Sequence, residues 1–289
     1  ALPDRQHVGG TGAVADDAVI GSMFYLMSYV PGRIFWDPAL PELAPQQRAA
    51  HFDCAIDTLA ALARLDVAAV GLADYAKPGN YFARQVTRWS EQYRAAETES
   101  LQAMETLIAW LPGAVPPDDG RVALVHGDFR IDNLIWSADT AIARADSPAA
   151  PGHPGPSRAP LGRPWPPGHS GSCPSHLGSC PAIIAAIVDW ELSTLGHPLA
   201  DLAYFCMALR LPRNPVLPGL AGMDRAALGI PAEAAMIDRF AAATSLDPHA
   251  HWNFLLAFGF FRLAAIAQGV LKRALQGNAS SDQALAAGS

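Results

Sequence analysis

Three polar side chains stand at the ends of apolar runs with a spacing that suits phosphoryl transfer. Residues 126–133 read HGDFRIDN, preceded by VALV (122–125) and followed by LIW (134–136). Asp189 closes a third apolar run, within IIAAIVDWE (183–191). A hydroxyl is a poor nucleophile until its proton has a destination, and a loop carboxylate, Asp128, would supply one. Asn133 and Asp189 offer hard oxygen atoms, which suit magnesium, a small cation that keeps several waters. A base and two metal-ligating groups are the parts that set ATP phosphates against an acceptor. Each also has an ordinary reading: HGD as a turn or cap, Asn133 as a turn amide, Asp189 as a strand-end cap. Agreement of all three in type, order and strand context favours the chemistry.

The elements that must position them are legible from periodicity. FYLMSYV (24–30) reads as a buried strand, turned by Pro31-Gly32. From Gln46 to about Asp66, Phe52, Ile56, Leu59, Leu62 and Leu65 recur at helical spacing. A second helix is predicted from Tyr81 to Trp110, and PPDDG (116–120) turns the chain into the HGD segment. Further helices are predicted over Leu199–Leu209, Ala232–Ala243 and His251–Leu275. The stretch 252–271 is long enough to cross a membrane, but Asn253, Arg262 and Gln268 interrupt it. A buried helix of a soluble domain is the expectation.

One segment breaks the pattern. Residues 140–182 hold ten of the 25 prolines and six glycines with almost no apolar periodicity. Such text cannot bury enough to offset ordering entropy, so a disordered insertion is expected there, of lineage-specific or gene-model origin. LIW and IIAAIV can still pair, because loop-closure entropy grows only logarithmically with length. Within it His169, Cys173, His176 and Cys180 have a zinc-like composition. The text around them is a low-complexity near-repeat, which is the preferred reading.

The loop HGDFRIDNLIW and the longer text AIVDWELSTLGHPLADLAYF (186–205) resemble the aminoglycoside-phosphotransferase and choline-kinase branch of the protein-kinase-like fold. They are similar, in particular, to the kinase-like domain attached to some acyl-CoA dehydrogenases. The resemblance runs from about Ile20 to about Leu275, apart from the Pro-rich segment. It implies an α+β protein-kinase-like fold: mainly the helical large lobe (31–139 and 183–289), a short catalytic-loop sheet, and a small-lobe remnant with hinge (1–30). It implies ATP and Mg2+ as cofactors, Asp128 as catalytic base, and Asn133 and Asp189 as metal ligands. Backbone groups of Ser28, Tyr29 and Val30 become the hinge that holds adenine. Asp201 would brace the catalytic loop, with simple helix capping as the alternative. His126 reads as a buried ring bonded to backbone rather than a proton carrier. Glu191 would support the metal or lie at the surface, while Arg130 and Asp132 read as solvated loop charge. Trp89, Tyr93 and Arg88 are placed on the second helix as cleft-lining or core residues. The implied acceptor is a small-molecule hydroxyl, in a hydroxy acid or hydroxyacyl-CoA, with an acyl-CoA dehydrogenase as partner or fusion.

In this fold a small lobe with a phosphate-holding lysine normally precedes the hinge. Only Lys77 and Lys272 occur in the chain, both past FYLM, so a truncated, inactive binding module is the competing expectation. With 20 basic and 27 acidic residues the net charge is −7, which argues against nucleic acid or an anionic membrane as partner. Four cysteines without a framework, and no apparent signal sequence, point to a reducing intracellular compartment. That is the cytoplasm by default, with mitochondrion and peroxisome left open.

Overall fold

The computed structural model describes residues 12–14, 21–22, 24–26, 29–75, 79–137, 182–214 and 217–276. Ser28, Lys77, most of GGTG (9–12), the Pro-rich segment up to 181 and its His/Cys cluster lie outside the described residues.

Seven helices are described: α1 (Pro45–Ala63), α2 (Tyr81–Ala96), α3 (Gln102–Ala114), α4 (Leu199–Met207), α5 (Arg225–Leu228), α6 (Glu233–Thr244) and α7 (Trp252–Leu275). Six short strands form three antiparallel pairs: β1 (Gly12–Val14) with β2 (Phe24–Leu26), β3 (Ala123–Val125) with β6 (Thr194–Gly196), and β4 (Leu134–Trp136) with β5 (Ile184–Ile187). The helices supply the mass; the two inner pairs carry the loops.

Apolar spacing dictates the packing. α1 buries Phe52, Ile56 and Leu59, and α2 buries Phe82, Val86, Trp89 and Tyr93. α7 turns Phe254, Leu255, Phe258 and Phe261 inward, so the helix long and apolar enough to cross a membrane is a core helix, with Arg262 and Gln268 buried too. Phe82 meets Phe254 and Phe258 edge-on at ring-centroid distances of 5.3 and 5.6 Å, the favoured geometry for aromatic pairs.

Two sequence expectations change. Of the strand predicted over 24–30, Phe24–Leu26 is strand while Tyr29 and Val30 are irregular, and Tyr29 is 88% exposed. The single helix predicted over 81–110 is two helices, broken at 97–101. The reason is tertiary. Lys272 Nζ donates to the Ala95 carbonyl (2.6 Å), and Gln268 Nε2 to Thr98 Oγ1 (2.5 Å), so α7 caps the end of α2 from outside.

The β4–β5 pair links the hinge side to the loop side. Arg33 and Trp136 exchange backbone bonds of 2.8 Å in both directions. Gly32 sits so close that a Cβ there would lie 2.4 Å from Ile135 Cγ2 and 2.6 Å from the Trp136 carbonyl. At the same end the Ser137 amide donates to the Ile183 carbonyl at 2.8 Å.

Candidate active site

The loop leaves β3 at His126, a ring with no exposed surface. His126 Nε2 donates to the Val188 carbonyl (2.9 Å) and Nδ1 accepts from the Asp128 amide (3.2 Å). Both ring nitrogens are thus committed to backbone partners, one as donor and one as acceptor. Gly127 adopts φ +87°, and a Cβ there would come within 2.5 Å of the Leu192 carbonyl. Only glycine meets both demands without strain.

Asp201, buried at the start of α4, accepts from the His126 amide through Oδ2 (2.6 Å) and from the Gly127 amide through Oδ1 (2.9 Å). Burial pushes this carboxyl up from its ordinary value; the two amide bonds and the Arg262 guanidinium oppose that shift. Asp201 therefore holds loop backbone; capping of its own helix is not what its oxygens do.

Asp128 is held on three sides. Asn133 Nδ2 donates to its backbone carbonyl (2.9 Å) and to Oδ2 (3.1 Å). The buried Tyr204 hydroxyl lies close enough to feel the same carboxylate, and burial together with that charge pushes its titration up, while Arg130 Nε stands 3.6 Å from Oδ1. The Asp128 side chain keeps 16% of its surface open. The remaining opening is where a substrate hydroxyl can approach.

Asn133 ends a single 3-10 turn (Ile131–Asn133), and β4 begins at the next residue. Leu134 pairs with Ile187, and the Val188 amide bonds the Asn133 carbonyl at 3.0 Å. This register brings Asp189, the residue after Val188, beside Asn133. Asp189 is exposed, in the left-handed region at φ 67°, ψ 57°. A non-glycine residue costs about 1–2 kcal/mol there, and strain of this kind gathers at functional positions. With its Nδ2 spent on Asp128, the Asn133 amide oxygen is the atom left to ligate. One amide oxygen and one exposed carboxylate fit magnesium, which takes few protein ligands. Among the described residues no group of three or more His, Cys, Asp or Glu side chains could hold a metal. Glu191 is exposed beside Asp189.

Tyr29 and Val30 lie in irregular chain just before the Arg33–Trp136 bridge, so β4 spans from the hinge side to Asn133. Ser28 lies outside the described residues. Arg130 and Asp132 depart from the expected solvated charge: they pair at 2.8 Å with side chains 35% and 23% exposed. Burial raises the Asp132 carboxyl. For Arg130, burial opposes the charge, but Asp128 and Asp132 prevail and raise its value. Trp89 and Tyr93 are core residues, while Arg88 is exposed. Lys272 is engaged at the end of α2, as described above.

Sequence reasoning missed several neighbours of the loop. Tyr204 and Arg262 reach it from 74 or more residues away, and no local pattern marks them. A small cleft of about 50 Å³ adjoins the loop, lined by Trp36, Phe129, Arg130, Asp132, Tyr204 and Met207 among others. Its walls are chiefly apolar.

A helical lobe whose braced loop offers a carboxylate base, with an amide and a second carboxylate at the adjoining strand end, defines a kinase-like phosphotransferase fold. Comparison with known proteins agrees. A model described as the phosphotransferase enzyme family matches residues 11–143. A solved structure from Ralstonia eutropha, assigned as an aminoglycoside phosphotransferase, superposes with a TM-score of 0.73 at 40% identity. That match covers 96% of this chain and 72% of the other. The chain is 41% identical over 274 residues to acyl-CoA dehydrogenase family member 10 of Mus musculus, covering 94% of this chain and 22% of that protein. It is 35% identical over 271 residues to acyl-CoA dehydrogenase family member 11 of Homo sapiens, covering 93% and 29%. The chain belongs to the phosphotransferase enzyme family. It spans about a quarter of the length of the curated relatives it matches.

Proposed function

We propose that this domain transfers the γ-phosphoryl group of ATP to a hydroxyl of a small molecule. The observation that carries the reading is the Asp128 carboxylate, flanked by Tyr204, Asn133 and Arg130 yet open on one side. Asp128 takes the proton of the attacking hydroxyl. Asn133 and Asp189 would hold magnesium, which when bound neutralises charge on the phosphates. Backbone groups of Tyr29 and Val30 are the proposed adenine contacts. The apolar cleft beside the loop supports an acceptor with a hydrocarbon body, and the relatives named above are acyl-CoA dehydrogenases. A hydroxy acid or hydroxyacyl-CoA is therefore the acceptor we propose, with an acyl-CoA dehydrogenase as fused or associated partner.

The test is calorimetric titration with magnesium-ATP, joined to a turnover assay on hydroxyacyl acceptors. Asp189→Ala should lose tenfold or more in magnesium-dependent affinity. Asp128→Asn should still bind nucleotide, while turnover falls by about 10²–10⁴. Absence of nucleotide binding at millimolar concentration, or wild-type binding by Asp189→Ala, would sink the reading.

A further inference from the structure

Arg262 is a charged side chain on the long apolar core helix α7, 4% exposed, and the site described above gives it no role. It does not lie idle. One terminal nitrogen donates to the Gly127 carbonyl, and the guanidinium stacks over two rings, 5.4 Å from Trp89 and 5.2 Å from Tyr204. It also faces the charge of Asp201.

These contacts converge on one residue, Gly127, and hold the peptides on both sides of it. The Gly127 amide is held by Asp201 from α4 and its carbonyl by Arg262 from α7, while Leu192 leaves no room on its third side. The next residue is Asp128. The ring under the guanidinium belongs to Tyr204, whose hydroxyl lies near the Asp128 carboxylate. The same cation therefore bears on the backbone before Asp128, through the Gly127 carbonyl, and on a ring beside its side chain.

Energetics point the same way. Taking a guanidinium out of water costs several kcal/mol, and replacing a buried charge pair with apolar residues of similar volume is often neutral or stabilising. Arg262 even keeps a buried Nε without a hydrogen-bond partner. A leucine or methionine would serve the core as well. The guanidinium is explained by what it does to the loop.

We infer that Arg262 is a positioning residue for phosphoryl transfer, locking Gly127 and the Tyr204 ring so that Asp128 meets the acceptor hydroxyl in register. The inference rests on the proposed phosphotransfer reading. Displacement of a reacting group by about 1 Å costs roughly 10²-fold in rate, so the effect belongs in kcat and not in nucleotide binding.

The experiment measures phosphate release from magnesium-ATP with water as acceptor, alongside calorimetric ATP affinity, on the intact chain. Arg262→Met should lower kcat about tenfold or more, with KM for ATP within about twofold of wild type. Arg262→Lys, which keeps a donor and a charge, should recover part of the loss. Tyr204→Phe should reproduce the fall, and the double variant should add little, since residues in one network do not act additively. Wild-type kcat in Arg262→Met, or a rise in KM at constant kcat, overturns the inference. If Arg262→Met does not fold, wild-type rates in both Arg262→Lys and Tyr204→Phe overturn it instead. Release by wild type no faster than by Asp128→Asn removes the functional reading, and the role of Arg262 with it. Release by wild type that Arg262→Met matches removes only the latter.

Discussion

At the scale of single residues, the loop was legible because its chemistry is contiguous. Asp128 and Asn133 lie five residues apart in one motif, and Asp189 announces itself at the end of an apolar strand. What holds them was not legible. The oxygens of Asp201, the Tyr204 hydroxyl and the Arg262 guanidinium arrive from other elements, and only folding shows which atoms they meet. Gly127 shows how narrow the tolerances are. Its φ of +87° and the Leu192 carbonyl at 2.5 Å from a Cβ leave no place for a side chain. Gly127→Ala should cost about 1–3 kcal/mol through strain and overpacking and lower turnover as well. Denaturant midpoints read the first and phosphate release the second; wild-type values in both would refute the geometry.

At the scale of elements, helix existence followed from apolar periodicity, but one helix was misjudged. No glycine or proline marks 97–101, and the apolar stripe of α2 gives no warning of the break. The caps come from Gln268 and Lys272 on α7, about 170 residues on, where sequence-local reasoning has no reach. The far end of the predicted strand was misjudged too: FYLMSYV is mostly apolar, yet Tyr29 and Val30 are irregular and lead to the Arg33 bridge with Trp136. That bridge yields a prediction. In Gly32→Ala the new methyl meets Ile135 and the Trp136 carbonyl, so the Arg33–Trp136 contact must open or shift. We expect about 1–3 kcal/mol of lost stability and weaker ATP binding, because the hinge and Asn133 share β4. Chemical denaturation and calorimetry report these separately. Unchanged nucleotide affinity in a destabilised variant would mean that the hinge does not depend on this bridge.

At the scale of the whole molecule, stability is tied to pH through two imidazoles, buried His51 and half-buried His197. Burial lowers the value for His51, packed against Phe35 and Trp136, and Arg33 adds to the effect. Burial also lowers His197, against the pull of Asp119. For such groups the unfolded chain binds protons more readily than the native one, so stability rises with pH where they titrate. Their contribution is complete above the ordinary histidine value of about 6.5 and is lost as pH falls from there through the lowered native values. Thermal unfolding between pH 8 and 5.5 should show a falling Tm, less steep in His51→Leu. An equal slope in that variant would remove His51 from the account. The α+β kinase-like class was legible from two motifs and their strand context, whereas the apolar cleft beside the loop was not, since its walls come from segments as distant as Trp36 and Met207. The closed end of the β4–β5 pair has one more consequence. Ser137 and Ile183 are joined by a single backbone bond, so the chain departs and returns at one point. The pair thus has the geometry of a socket: because closure cost grows only logarithmically with length, sequence grafted between 137 and 183 should leave Asn133 in register with Asp189.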